Sequence, residues 1–86
     1  LYKYLAKETI YPEKALKKSI HGRVRVIFIV EKSGLIKNVK TEQKTNKHLD
    51  KEAIRVVKNM PVWNPGKQDG KKVRVRFALP VVFELE

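Results

Sequence analysis

Arg23 to Glu31 reads RVRVIFIVE. Val24, Val26, Phe28 and Val30 alternate with Arg23, Arg25, Ile27 and Ile29, and a period of two defines a strand. The first set is apolar throughout. The second changes from arginine to isoleucine towards the middle, so both faces are apolar at the centre. That pattern predicts a central strand, flanked on both sides.

Working downstream, Lys32-Ser33-Gly34 supplies a tight turn with a glycine free to take positive φ. Leu35 to Gln43 (LIKNVKTEQ) then returns as a more polar strand, completing a hairpin. Leu49 to Met60 (LDKEAIRVVKNM) places Leu49, Ala53, Val56, Val57 and Met60 on one stripe, the spacing of a helix packed on a sheet. Asp50 and Glu52 open that helix and Lys58 closes it, in keeping with its dipole. Pro61 stops it. Val62 to Gly66 (VWNPG) reads as an ordered connector with Trp63 as an apolar anchor, and Asp69-Gly70 as a second turn.

Upstream, Gly22 ends a helical stretch. Leu1 to Lys7 (LYKYLAK) spaces Leu1, Tyr4 and Leu5 as one short amphipathic helix. Tyr11-Pro12 breaks it, because the residue before proline leaves the helical region. Pro12 can begin a second helix over Glu13 to Ser19, with Ala15 and Leu16 as apolar contacts.

Lys71 to Leu85 (KKVRVRFALPVVFEL) is expected to be one long last strand. Val73, Val75, Phe77, Leu79, Val81 and Phe83 fall on one face, and Lys72, Arg74, Arg76, Ala78 and Pro80 on the other. Proline cannot donate to a ladder, so Pro80 places this strand at an edge with position 80 facing away from its neighbour. Amide direction alternates, so Arg74, Arg76 and Ala78 also point outward if no bulge intervenes. An open edge of that length is an aggregation hazard unless it is used, and the use that fits is addition of an extended peptide as a further strand. The fold class is α+β: a three-stranded antiparallel sheet with two helices packed on one face and the final strand at an open edge.

The chain has 86 residues, so one domain with a single thin core is expected. It carries 20 Lys+Arg against 9 Asp+Glu, a formal net charge of +11. That field attracts anions of any kind, although the lysines are spread along the chain rather than blocked. Arg23, Arg25, Arg74 and Arg76 form one basic face. Nucleic acid is not the expected partner, because that face offers no aromatic stacking platform; Phe28 and Phe77 belong to the other side. There is no cysteine, hence no disulfide or thiolate chemistry. His21 and His48 are far apart, the carboxylates are interleaved with lysine, and the glycines are isolated. No catalytic residue, metal site or cofactor is expected.

The ordered set of motifs resembles the C-terminal domain family of TonB proteins. The resemblance runs from Tyr11-Pro12 through Ala15, Gly22-Arg23-Val24 and RVIFIV, then Gly34, LDKEAIRVVKNM and MPVWNPGKQDGKKV, to the closing LPVVFEL. Pro61, Trp63, Pro65 and Gly66 are its most telling part. Where a fuller version of the motif has Gln-Pro before Tyr-Pro, this chain has Glu8-Thr9-Ile10. The resemblance implies a periplasmic binding module, not an enzyme. It implies anchoring to the inner membrane through an upstream segment and coupling there to a motor of the ExbB–ExbD type. The implied partner is the TonB box near the N-terminus of outer-membrane transporters, added beside the final strand. Carried onto this sequence, the contacts are Tyr11, Pro12, Val73, Arg74, Val75, Arg76 and Phe77, to which the edge parity adds Ala78. The same fold is also appended to other envelope proteins, where the edge could serve self-pairing into a homodimer.

Overall fold

A computed structural model of the chain describes residues 2–61 and 66–85. The elements, in chain order, are α1 (Tyr2–Glu8), α2 (Glu13–Lys17), β1 (Gly22–Val30), β2 (Ile36–Thr41), α3 (Lys47–Lys58), β3 (Gly66–Gln68), β4 (Lys71–Val73) and β5 (Val75–Phe83). The main sheet has the order β2-β1-β5, antiparallel throughout, with β1 central and β5 at an edge. Trp63 and the connector around it lie outside the described residues.

The alternation in β1 decides which face is filled. Val24, Val26, Phe28 and Val30 are buried, and they meet Leu79, Val81 and Phe83 of β5 on the same face. The stripe on α3 closes over them, with Leu49, Ala53, Val56, Val57 and Met60 all buried. Leu5 of α1 and Ala15 of α2 complete the core. The helix begins two residues before the apolar stripe, because Asn46 caps it: its side chain accepts from the amides of His48 (2.9 Å) and Leu49 (3.4 Å). Among the described residues no helix lies on the opposite face of the sheet.

Three details depart from the sequence reading. The segment 71–85 is not one strand. β1 ends at Val30, and Glu31 turns into a tight loop closed by Gly34, whose φ is +89°. Residues before Val75 therefore have no central strand left to pair with. Lys71–Val73 instead folds back on Gly66–Gln68 through Asp69 (φ 53°) and Gly70 (φ 77°), forming a separate ribbon. Two successive positive φ values are the geometry an Asp-Gly hairpin turn favours. Arg74 lies in the break between the two strands.

Next, β2 contains a bulge: Ile27 pairs with Lys40 and Ile29 with Lys37, so Asn38 and Val39 together oppose Phe28. Asn38 takes φ +56°, which asparagine tolerates better than most residues. Finally, Leu16 is not a core contact. Helix α2 has only five residues, one position reaches the core, and Leu16 is 51% exposed.

The end of α2 explains its shortness. The Ile20 amide donates to the Ala15 carbonyl (2.8 Å) and the Ser19 amide to the Leu16 carbonyl (3.1 Å), with Ser19 at φ +54°. This paired bonding is a Schellman ending with serine in the left-handed position that glycine usually takes. A Cβ there costs roughly 1 kcal/mol. Ser19→Gly is therefore expected to stabilise the domain by about 0.5–1 kcal/mol, read as a higher midpoint in urea. A lower midpoint would show that the serine side chain offsets its strained backbone.

Candidate peptide-binding edge

The free side of β5 follows from its register. β1 and β5 pair without a shift from Gly22↔Phe83 to Val30↔Val75, and Pro80 faces Arg25. Proline has no amide hydrogen, so Arg25↔Pro80 is one of the pairs that exchange no ladder bonds. Ala78 (opposite Ile27) and Arg76 (opposite Ile29) occupy the same class of position. Their amides and carbonyls point to the open edge. Among the described residues no strand covers it.

Beside this edge runs a groove of about 600 Å³, lined on one wall by Leu5, Ala6, Thr9 and Tyr11 and on the other by Pro80 to Glu84. The segment between α1 and α2 forms that first wall because several long-range bonds hold it. The Ile10 amide donates to Glu52 Oε2 (2.7 Å), and Arg55 Nη2 donates to the Glu8 carbonyl (3.1 Å). Arg55 also grips both oxygens of Glu52, at 2.7 Å each. The Tyr4 hydroxyl donates to the Val56 carbonyl at 3.1 Å. Tyr11 donates its hydroxyl to the Ile20 carbonyl, and its ring meets Phe83 edge-on, centroids 5.6 Å apart. Thr9 Oγ1 is buried with no hydrogen-bond partner among the described residues.

Glu52 is the charged element of this clasp, and its side chain is 11% exposed. Burial pushes its carboxyl up, but the Arg55 bonds and the Ile10 amide outweigh burial and hold it below its ordinary value. The unfolded chain thus binds that proton more readily than the folded one. The stability this clasp contributes is present above the ordinary carboxylate range, about pH 4.3, and is lost as pH falls through the depressed folded value. Glu52→Gln is expected to flatten this part of the stability-versus-pH curve and to cost about 1 kcal/mol at neutral pH. An unchanged acid limb would remove Glu52 as its source.

The sequence-predicted site residues fall into two groups. Val75, Arg76, Phe77 and Ala78 lie together on β5, and Tyr11 and Pro12 lie at its other end, with Tyr11 lining the groove. Val73 is in the β3–β4 ribbon, opposite Gly66, and Arg74 is turned to Glu31 (3.0 Å). Arg74 and Val73 therefore stand outside the open ladder. Phe77 stacks on Phe28 towards the helices, centroids 5.9 Å apart. Glu52 and Arg55, which position the groove wall, were not expected as site-forming residues. His48 stands among Lys47, Lys14, Lys18 and Lys51; partial burial and these cations lower its pKa.

A family model described as Gram-negative bacterial TonB protein C-terminal matches residues 7–85. The chain belongs to the TonB C-terminal family. A solution structure of the C-terminal domain of Helicobacter pylori TonB superposes with a TM-score of 0.76 at 20% identity, covering 99% of this chain and 77% of that one. The likeness shows the same α+β fold. No curated protein matches. TonB C-terminal domains are non-catalytic periplasmic interaction modules of Gram-negative bacteria that engage outer-membrane transporters.

Proposed function

We propose that this TonB-type domain binds the TonB box of an outer-membrane transporter as an added strand on the free edge of β5, coupling inner-membrane proton-motive force to uptake. In this reading a segment N-terminal to Leu1 tethers the domain to the inner membrane and to a motor of the ExbB–ExbD type. The observation that carries it is the open ladder at Arg76 and Ala78, continuous with the groove walled by Thr9 and Tyr11. Pro80 offers a carbonyl but no amide, so the incoming strand pairs fully only over the Val75–Leu79 stretch. Its side chains alternate between the arginine-bearing face and the helical side.

Four or so backbone bonds at about 0.5–1.5 kcal/mol each give several kcal/mol, and association costs consume much of it. Roughly micromolar affinity results, a grip that forms and releases repeatedly. The test is titration of the labelled domain with a synthetic TonB-box peptide, followed by amide NMR. Saturating shifts centred on residues 75–79 and on Thr9 and Tyr11 are expected, with association slowed when salt rises from about 50 to about 500 mM. The absence of shifts at millimolar peptide would transfer the domain to another envelope partner.

A further inference from the structure

The uncovered face of the sheet holds a feature that strand addition does not use. On this face lie Arg23, Arg25, Ile27 and Ile29 of β1, Lys37 and Lys40 of β2, and Arg76, Ala78, Pro80 and Val82 of β5. A regular sheet face of this kind would be nearly flat. Here the extra residue at Asn38 interrupts the β1–β2 register between Ile27 and Ile29, and a hollow of about 470 Å³ lies at the bulge. That size falls within the range of sites that hold a ligand or a side-chain cluster. The β1 stretch Ile27 to Ile29, the bulge residues Asn38 and Val39, and Lys40 and Arg76 line it.

The charges on this face divide unevenly. Arg25 is paired with Glu42 at 2.8 Å, and Arg74, beyond the strand end, with Glu31 at 3.0 Å. Lys37, Lys40 and Arg76 have no carboxylate partner among the described residues, and Lys40 and Arg76 line the hollow. Lys37 sits opposite Ile29 and Lys40 opposite Ile27. The hollow therefore offers an aliphatic surface with a cation from β2 and another from β5 among its lining residues. Its complement is a group that carries a branched apolar side chain and a carboxylate close together.

We propose that this hollow is a second binding site, which takes an acidic peptide segment in which an aliphatic residue adjoins a carboxylate. A second copy of the chain does not fit, because two such faces would bring like charges together. A bilayer surface does not fit either: Ile27 is only 9% exposed at the bottom of a dent, below the reach of a membrane plane, whereas a single protruding side chain can enter. The site is distinct from the edge. β2 lies on the far side of β1 from β5, about 10 Å from it, so a strand added to β5 leaves the hollow open. Arg76 stands between them, its amide directed to the edge and its side chain at the rim of the hollow. A partner that filled both sites would be held longer than by either alone, since the second contact forms within an already tethered complex.

The probe is acetyl-Asp-Leu-Asp-Leu-amide, titrated into the labelled domain, with acetyl-Asp-Ser-Asp-Ser-amide as the charge-matched control. Saturating shifts are expected at Ile27, Ile29, Asn38, Val39 and Lys40, with the leucine peptide binding at least about fivefold more tightly than the serine peptide. Lys40→Gln is expected to weaken the leucine peptide about threefold. Shifts on β2 cannot arise from strand addition at β5, so failure here leaves the edge reading untouched. Equal affinity for both peptides, or shifts scattered over lysines throughout the chain, would reduce the hollow to general cation screening and overturn the proposal. Shifts confined to residues 75–82 would place the peptide at the edge and overturn it as well. Broadening of the Ile27 and Lys40 amides by mixed phosphatidylcholine–phosphatidylglycerol vesicles, with neither peptide bound, would replace the peptide by a lipid surface.

Discussion

Ala78→Pro should abolish most strand addition while leaving the domain folded. Ala78 faces Ile27 in the same class of pair as Pro80 with Arg25, so its amide serves no bond inside the sheet. Its side chain is exposed, and Phe77 before it already has the extended backbone that proline demands. The free domain should therefore melt within a few degrees of the parent. The bound state fares differently. The substitution removes one donor, places a ring where the incoming carbonyl would approach, and leaves that carbonyl unpaired. A loss of at least about tenfold in affinity for a TonB-box peptide follows from one lost bond and one unsatisfied group. Ala78→Val, which adds bulk but retains the amide, should bind within about threefold of the parent. Calorimetric titration of both variants decides the matter. If Ala78→Pro unfolds the domain, its amide belongs to the internal ladder and the register argument fails. If it binds normally, the partner does not use this edge.

Pro80 alone makes the open edge legible in the sequence. The α3 stripe and the two faces of β1 were equally legible, since each rests on contrast between apolar and charged residues repeated over many positions. What stayed hidden has a physical pattern of its own. Gly66–Gln68 is three residues long, polar, and pairs only because β1 has run out of length to receive Lys71–Val73. No local signal marks that shortage. The bulge at Asn38 sits in a stretch that alternates acceptably without it, and asparagine merely permits the positive φ. The clasp that positions the groove joins Ile10 to Glu52 and Glu8 to Arg55, partners 42 and 47 positions apart. In the sequence Glu52 reads only as a favourable charge in the first turn of the helix, and only the tertiary fold brings it and Arg55 to the Thr9–Tyr11 segment. Tyr11 was expected among the partner contacts. The fold commits its hydroxyl to Ile20 and packs its ring across that of Phe83, and Tyr11 still lines the groove.

Phe28→Ala is expected to have the largest effect on stability of any single truncation among the described residues. Phe28 is 1% exposed, lies at the middle of the central strand, and stacks on Phe77. Large-to-small changes at such a site cost about 3–5 kcal/mol, because the lost transfer energy is joined by a cavity the surroundings cannot close. Collapse is especially hard here. One side of Phe28 is the α3 stripe, held to the sheet by Leu49, Val56 and Val57, and the other is the backbone of the bulge in β2. A domain of 86 residues has a total stability of only about 5 kcal/mol. The variant should therefore lose its cooperative thermal transition or melt near room temperature, with collapse of amide dispersion. Phe28→Leu, which keeps most of the volume, should cost about 1–2 kcal/mol and remain folded. A Phe28→Ala domain that melts within about 5 °C of the parent would mean that the core is centred elsewhere, and that the sheet owes its cohesion to the β1–β5 ladder rather than to the layer between sheet and helices.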